Sequence, residues 1–231
     1  MVEVGAAGAA VGRGVDALLS TGTNGALRSL VARYLGIEGD VAFTGRHFDT
    51  FGVNPPDRFV GDDLLACAFL DTPIEGLGVE ALLVGDPTFG SFLRAVNHET
   101  SIWDTDTARV RETLDRAGEL REQLTNVATI GWTRAHKLMA RKRPAIHPVY
   151  DSVVSRWFFD VDGIRYGLHQ LVAAGKSPQR ELDDALRPDG VELDTLRLLD
   201  IAVWMCGSRS KAARHLRDGL NLKPPLERVT E

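Results

Sequence analysis

Residues 126–154 of the chain read NVATIGWTRAHKLMARKRPAIHPVYDSVV, and this stretch decides how the rest of the sequence is interpreted. Helical apolar spacing on both sides of Ile130-Gly131-Trp132 predicts two helices joined by a tight turn. A basic loop bounded by prolines follows the second helix. Asp151 then precedes Ser152, Val153 and Val154 and suits the N-cap of a third helix. The stretch is therefore a helical hairpin with a carboxylate behind it.

The charge of the chain is distributed unevenly around this hairpin. The net charge is −5, but residues 1–120 hold 9 basic and 18 acidic residues, whereas residues 121–231 hold 18 basic and 14 acidic residues. All of the lysines lie in the second part. Because phosphate binding depends on local lysine and arginine, this asymmetry matters more than the total. It predicts a basic surface around the hairpin in an acidic protein.

Length and composition predict one soluble domain. With 231 residues, 44% of them hydrophobic, the chain can bury a substantial core. We expect a flexible Gly/Ala-rich lead-in at 1–14, a single mainly helical domain at 15–220 and a loose tail at 221–231. No apolar run approaches the roughly 20 residues of a membrane span. Cys67 and Cys206 lie inside apolar runs, which predicts buried thiols and a cytoplasmic protein.

Helical spacing continues through most of the chain and predicts a mainly α fold of roughly ten helices. The clearest segments are 24–35, 107–124, 163–173, 179–186 and 195–205. Asp62 and Asp63 precede an apolar run and suit helix caps, because carboxylates favour the positive end of the helix dipole. The aromatic segment Phe43–Phe51 predicts packing anchors and has no assigned chemistry.

A turn that enters a helix presents backbone N–H groups to a phosphate oxygen, and the helix dipole assists. Nearby cations would add phosphate contacts in a salt-dependent way. DNA is therefore the predicted partner. The predicted DNA-binding residues are Ile130, Gly131, Trp132, Thr133, Arg134, Lys137, Arg141, Lys142 and Arg143. Two alternatives stay open: Gly131 simply caps a helix junction, and the cations form a solvated face.

The segment VATIGWTRA, residues 127–135, resembles the helix-hairpin-helix motif, whose pattern is roughly Leu-Pro-Gly-Val/Ile-Gly-x-x-x-Ala. The apolar residue before Gly131 and the later Ala135 are kept. Thr129 stands where the motif has its first glycine, and Ala128 stands where it has proline. This departure weakens the likeness in the part of the turn that approaches DNA.

The distance from the hairpin to Asp151 extends the resemblance to helix-hairpin-helix DNA glycosylases. Asp151 lies 20 residues after Gly131, within PAIHPVYDSVV. In that family an aspartate at nearly this separation is catalytic, so the resemblance implies that Asp151 stabilises a sugar cation and orients water. An extruded base would stack on aromatic side chains, for which Tyr150, His147 and Trp103 are candidates beside Trp132. Asp151 as a plain helix cap remains the alternative.

The same resemblance limits the expected chemistry. Members with lyase activity carry a lysine two residues after the hairpin glycine, where this chain has Thr133, and Lys137 one turn further on is a poor substitute. We therefore expect a monofunctional glycosylase for a modified or damaged base, acting in DNA repair or phage defence. No iron–sulfur cysteines are present, and no cofactor or metal is expected.

Three alternatives to the glycosylase remain. The fold could serve as a non-catalytic helix-hairpin-helix DNA-binding module, or as a protein-interaction domain without a nucleic acid role. A metal-dependent hydrolase using Asp62, Asp63 and His47 lacks a recognised ligand spacing.

A second resemblance covers far more of the chain. The segments ALRSLVARYL, FTGRHFDTFG, NPPDRFVGDDLLACAFLDTPIE and HKLMARKRPAIHPVYDSVV together resemble a bacterial family known only as a domain of unknown function, over roughly residues 25–205. This resemblance implies family membership and no activity.

Overall fold

The computed structural model describes residues 5–40, 43–85, 88–158 and 161–223. This part of the chain contains twelve α-helices and no β-strand, which confirms the mainly α prediction. The helices are α1 (Ala6–Leu19), α2 (Asn24–Tyr34), α3 (Gly61–Ala68), α4 (Leu77–Val79), α5 (Thr88–Ala95), α6 (Thr107–Thr125), α7 (Gly131–Lys142), α8 (Ser152–Phe158), α9 (Val161–Ala173), α10 (Gln179–Leu186), α11 (Thr195–Gly207) and α12 (Lys211–Gly219). A 3₁₀ turn covers Thr44–His47, and a π turn, Glu80–Val84, continues α4.

The helices enclose two groups of buried apolar side chains. The terminal core is built from both ends of the chain, with α1, α2 and α8 to α12 around it. The central core lies among α3, α5, α6 and α7. Val149 belongs to the central core and Tyr150 to the terminal core. The chain therefore crosses from one core to the other immediately before Asp151.

The beginning of the chain is not the flexible lead-in that its Gly/Ala content suggested. From Ala6 onward it forms α1, which buries Val11, Val15 and Leu18 in the terminal core. Small residues permit this packing, because a Cβ on Gly167 of α9 would lie 2.5 Å from a Val11 methyl group. Residues 1–4 of the expected lead-in lie outside the described residues.

The expected loose tail at 221–231 is packed where the structure describes it. Leu222 is 5% exposed in the terminal core, and the Lys223 N–H donates to the Thr21 carbonyl at 3.0 Å. These contacts attach the end of α12 to the loop after α1. The rest of the expected tail, residues 224–231, lies outside the described residues.

Helices α6 and α7 are joined by a tight turn, as expected from the sequence. The Asp106 side chain accepts a hydrogen bond from the Arg109 N–H and caps α6, whose apolar stripe is buried in the central core. The turn contains two left-handed residues, Thr129 at φ 72° and Gly131 at φ 59°. The Thr129 hydroxyl donates to the Glu75 carbonyl and accepts from the Gly78 N–H, each at 3.0 Å. These bonds hold the turn, and with it the start of α7, against α4.

Candidate functional site

The basic end of α7 is buried, which corrects its assignment to a DNA-facing surface. Arg141, Lys142 and Arg143 are only 2%, 4% and 3% exposed. The Lys142 Nζ lies 2.5 Å from Asp63 Oδ2, and the Arg141 Nε lies 3.5 Å from Asp63 Oδ1. Burial lowers the pKa of Lys142, which the Asp63 carboxylate opposes. Asp63 also accepts a hydrogen bond from the Val60 N–H, so its expected capping role is confirmed.

The same three cations satisfy backbone carbonyl groups of two loops. Arg141 donates to the carbonyls of Phe48, Asp49 and Phe51, and Lys142 donates to the carbonyl of Pro55. Arg143 donates to the carbonyls of Leu93, Val96 and Pro56, and burial lowers its pKa to about 10. Buried carbonyls require donors. The cations therefore hold the 48–56 and 93–96 segments onto α7, and their side chains do not reach a phosphate.

The other two predicted cations of α7 also contact protein backbone. Lys137 is 5% exposed and its Nζ donates to the Leu70 carbonyl at 2.6 Å, while Arg134 is half-buried and donates to the Pro73 carbonyl at 2.7 Å. Burial lowers the pKa of Lys137, and the strongest opposing influence is the carboxylate of Asp151. Lys137 is thus the cation of α7 that is electrostatically coupled to Asp151.

The remaining predicted DNA-binding residues occupy the turn and the first turn of α7. Ile130 is 1% exposed in the central core, and Gly131 is half-buried. Trp132 and Thr133 are exposed. Only these two side chains of the predicted set therefore offer a clear surface to a ligand.

Asp151 is half-buried at the crossing between the two cores. Its Oδ1 accepts hydrogen bonds from the N–H groups of Val153 at 2.8 Å and Val154 at 3.0 Å, which confirms that it caps α8. Within the described residues its Oδ2 accepts no hydrogen bond. One carboxylate oxygen is therefore fixed by the helix, and the other is available.

The aromatic side chains next to Asp151 pack edge to face and are mostly covered. The Trp132 ring lies 5.4 Å from the Tyr150 ring and 4.2 Å from the His136 ring. Trp132 is 44% exposed, whereas Tyr150 and His147 are each 1% exposed. The prediction that Tyr150 and His147 line an open base pocket is therefore wrong for this conformation, because Trp132 and α7 cover them.

Trp103, the third predicted base-pocket residue, is 8% exposed and packs in the terminal core. Its burial also contradicts an open pocket. Two surface hollows, of about 540 and 480 Å³, lie elsewhere. One follows the outer face of α6, and the other lies between the Thr44–His47 turn and residues 191–193.

A buried histidine pair, His136 and His147, lies next to the rings of Trp132 and Tyr150. The Nδ1 of His136 and the Nε2 of His147 are 2.8 Å apart, and an Arg165 nitrogen lies 3.3 Å from the other nitrogen of His147. Burial, followed by the nearby charges of Arg121 and Arg165, lowers the pKa of His136 to about 3. The pKa of His147 is lowered well below its ordinary value by burial and Arg165. Both imidazoles are therefore neutral near pH 7.

Exposed cations lie on α8 and after α11, two parts of the chain that the sequence did not connect with each other. Arg156 lies on the exposed face of α8. The end of α11 meets the beginning of α8, because a Cβ on Gly207 would lie 2.6 Å from the Val153 Cγ1. Three exposed basic residues follow Gly207: Arg209, Lys211 and Arg214. The basic start of α12 was visible in the sequence, but the contact between the end of α11 and α8 depends on tertiary packing.

The remaining sequence expectations concern metals and membranes. Within the described ranges, no cluster of three or more His, Cys, Asp or Glu side chains is arranged to hold a metal ion. The burial of Asp63 against two cations contradicts the metal-site alternative with Asp62 and His47. No helix in the described ranges has the length and apolar character needed to cross a membrane.

Comparison with known proteins identifies the family alone. No curated protein and no solved structure matches the chain. The model of a family of unknown function, DUF6308, matches residues 27–207, close to the range expected from the sequence. Because this match spans most of the chain, the protein belongs to the DUF6308 family.

Proposed function

We propose that this protein binds DNA and hydrolyses the N-glycosidic bond of a modified or damaged base, with Asp151 as the catalytic carboxylate. The observation that carries the proposal is the position of Asp151. It lies where the chain crosses between the two cores, beside Trp132 and Tyr150, and is electrostatically coupled to Lys137. DNA repair or defence against phage DNA are the processes that such an activity would serve.

The arrangement around Asp151 suits hydrolysis at a sugar carbon. The bond between C1′ and the base breaks, and the departing base carries away the bonding electron pair. A carboxylate close to C1′ stabilises the sugar cation that develops. Water then adds to C1′ and transfers a proton to the carboxylate. Because two backbone N–H groups hold Oδ1, Oδ2 is the oxygen that would receive this proton.

Access to the rings of Tyr150 and His136 requires a movement of Trp132. Its ring packs on Tyr150 and His136 and covers them, yet it is 44% exposed. A base that leaves the duplex needs an aromatic surface on which to stack. We infer that the base displaces Trp132 or stacks on its outer face. The packed arrangement of these rings is then the unliganded state of the site.

The residues on α7 favour hydrolysis over a lyase reaction. Thr133 has no amine to attack C1′. Lys137, one turn later, is 5% exposed and donates to the Leu70 carbonyl. A lysine held in this way contributes a positive charge beside Asp151, and its amine is turned toward the protein backbone.

A second candidate function is a DNA-binding module without catalysis. Capping of α8 is sufficient to explain an aspartate at position 151. The three expected base-pocket rings are also buried. In such a module Asp151 has a structural role only, and DNA is bound without loss of a base.

Base release from oligonucleotide duplexes tests the proposal. Duplexes that contain uracil, hypoxanthine, 8-oxoguanine, 3-methyladenine or 5-hydroxymethylcytosine are incubated with the protein, and the free base and the alkali-labile site are measured. Asp151→Asn keeps a capping oxygen and should fold normally while base release falls by at least about 100-fold. Asp106→Asn, at the exposed cap of α6, is the matched control and should retain wild-type activity. Equal activity of wild type and Asp151→Asn, or no base released from any duplex, contradicts the proposal.

A further inference from the structure

Four exposed cations lie on α8 and on the segment after α11, whose last residue packs on α8. Arg156 lies one turn after Ser152 on the exposed face of α8, and Arg209, Lys211 and Arg214 lie on the segment that follows α11. Within the described ranges none of the four side chains forms an ion pair. We call these four residues the α8–α12 basic surface.

Close packing brings the two parts of this surface together. Gly207, the last residue of α11, lies against Val153 with no room for a side chain between them. Val153 is also one of the two residues whose N–H groups bind Asp151 Oδ1. Arg209 follows Gly207 by two residues. The segment that carries Arg209, Lys211 and Arg214 therefore begins at a contact with the helix that Asp151 caps.

Exposed cations in another part of the molecule are arranged differently. On α6, Arg111 pairs with Asp115 at 3.3 Å, and Arg116 pairs with Glu119 at 3.1 Å. Their positive charge is compensated locally. Within the described residues, the four cations of the α8–α12 basic surface form no ion pair, although Asp218 follows Arg214 by four residues on α12.

We propose that the α8–α12 basic surface binds the phosphate backbone of DNA and presents the strand to Asp151. The proposal rests on the proposed function. It assigns phosphate contact to exposed residues instead of to the buried cations of α7; these residues are Arg156, Arg209, Lys211 and Arg214. Arginine and lysine at the surface contact phosphates without reading sequence, which fixes the position of a protein on the duplex. Arginine also pairs with phosphate through two N–H groups at once.

DNA binding by this surface has a distinctive salt dependence. Each phosphate contact releases condensed counterions, so its loss lowers the slope of log K against log salt by about 0.9. A substitution that weakens binding through misfolding does not produce this stepwise change. The slope therefore distinguishes direct phosphate contact from a loss of structure.

The experiment measures binding of a fluorescein-labelled duplex by anisotropy across a series of salt concentrations. The variant combines Arg209→Ala, Lys211→Ala and Arg214→Ala. We expect the dissociation constant at moderate salt to rise by on the order of 10- to 100-fold, and the salt slope to fall by about 0.9 for each contact removed. Adding Arg156→Ala to the triple variant should lower the salt slope of DNA binding further.

A matched control removes the same charge elsewhere. Arg116→Ala, Lys176→Ala and Arg180→Ala replace three exposed cations on α6, after α9 and on α10. Helix α10 packs against the beginning of α11, the end opposite to Gly207. The control should bind DNA with nearly the wild-type slope. Equal slopes for the two triple variants, or no salt-sensitive binding by the wild type, would overturn the assignment of the surface.

Base release separates this inference from the proposed function. If the triple variant loses DNA binding and the wild type releases no base, the surface stands and the catalytic proposal fails. If the wild type releases a base and the triple variant binds DNA with the wild-type slope, the catalytic proposal stands and the surface assignment fails.

Discussion

Lys142 Nζ lies 2.5 Å from Asp63 Oδ2, and both side chains are completely buried. Asp63 lies in the first turn of α3 and Lys142 ends α7, so this ion pair joins two helices of the central core. A charge without its partner is strongly disfavoured inside a protein. The ion pair therefore holds the basic end of α7 inside the protein, although the sequence of this segment resembles that of an exposed basic loop.

The first prediction concerns Asp63. Asp63→Ala leaves Lys142 and Arg141 buried without a carboxylate, and it should lower the free energy of unfolding by about 3–5 kcal/mol. Urea denaturation followed by circular dichroism measures this change. Asp189→Ala, at an exposed turn, is the control and should change stability by less than about 0.5 kcal/mol. Similar stabilities for the two variants would show that the buried pair does not hold α3 on α7.

The second prediction concerns the pH dependence of stability. The pKa of His136 is lowered to about 3, and that of His147 is also lowered, whereas an unfolded histidine has a pKa of about 6.5. Below pH 6.5 the unfolded chain therefore binds protons that the folded protein does not. Stability should fall as the pH is lowered from 6.5 toward 3, by about 1.4 kcal/mol per pH unit for each proton.

Comparison with a variant isolates the contribution of His136 from other groups that titrate. His136→Gln should reduce the slope of unfolding free energy against pH between 6 and 4 by about one proton. His215→Gln, at an exposed position of α12, is the matched histidine substitution. The prediction fails if His136→Gln and the wild type have the same slope.

The third prediction tests the contact between α11 and α8. Gly207→Ala places a methyl group 2.6 Å from Val153 Cγ1, which requires a shift of one helix and should cost about 1–3 kcal/mol. Val153→Ala removes the obstructing methyl groups. In a double-mutant cycle measured by thermal unfolding, the second substitution should recover part of the loss. Strict additivity of the two effects would contradict this contact.

The fourth prediction contrasts two glycines that both have space for a methyl group. At Gly131 the backbone has φ 59°, so Gly131→Ala should cost about 1–2 kcal/mol from backbone strain alone. Gly118 lies inside α6, and Gly118→Ala should stabilise the protein by about 0.5–1 kcal/mol. Chemical denaturation should therefore show opposite signs for the two substitutions. Equal signs would show that the left-handed residue is not required in the turn.

Much of the secondary structure is readable from local sequence. The apolar stripe of α6, the Gly131 turn, the capping roles of Asp63 and Asp151, and the burial of Cys67 follow from neighbouring residues, and the structure confirms them. The sequence did not predict helix α1, because a segment rich in glycine and alanine shows little apolar periodicity. Its stability comes from the close approach to α9, which no local pattern reveals.

The mainly helical character of this protein follows from its local sequence, because helical spacing, caps and turn residues act within a few positions of one another. The local sequence also determines the order Gly131, Lys137 and Asp151 along the hairpin. Which charges reach solvent depends on tertiary packing. Arg141, Lys142 and Arg143 are buried because distant carbonyls and Asp63 satisfy them, whereas Arg209, Lys211 and Arg214 are exposed on the segment after Gly207, which packs on Val153 of α8.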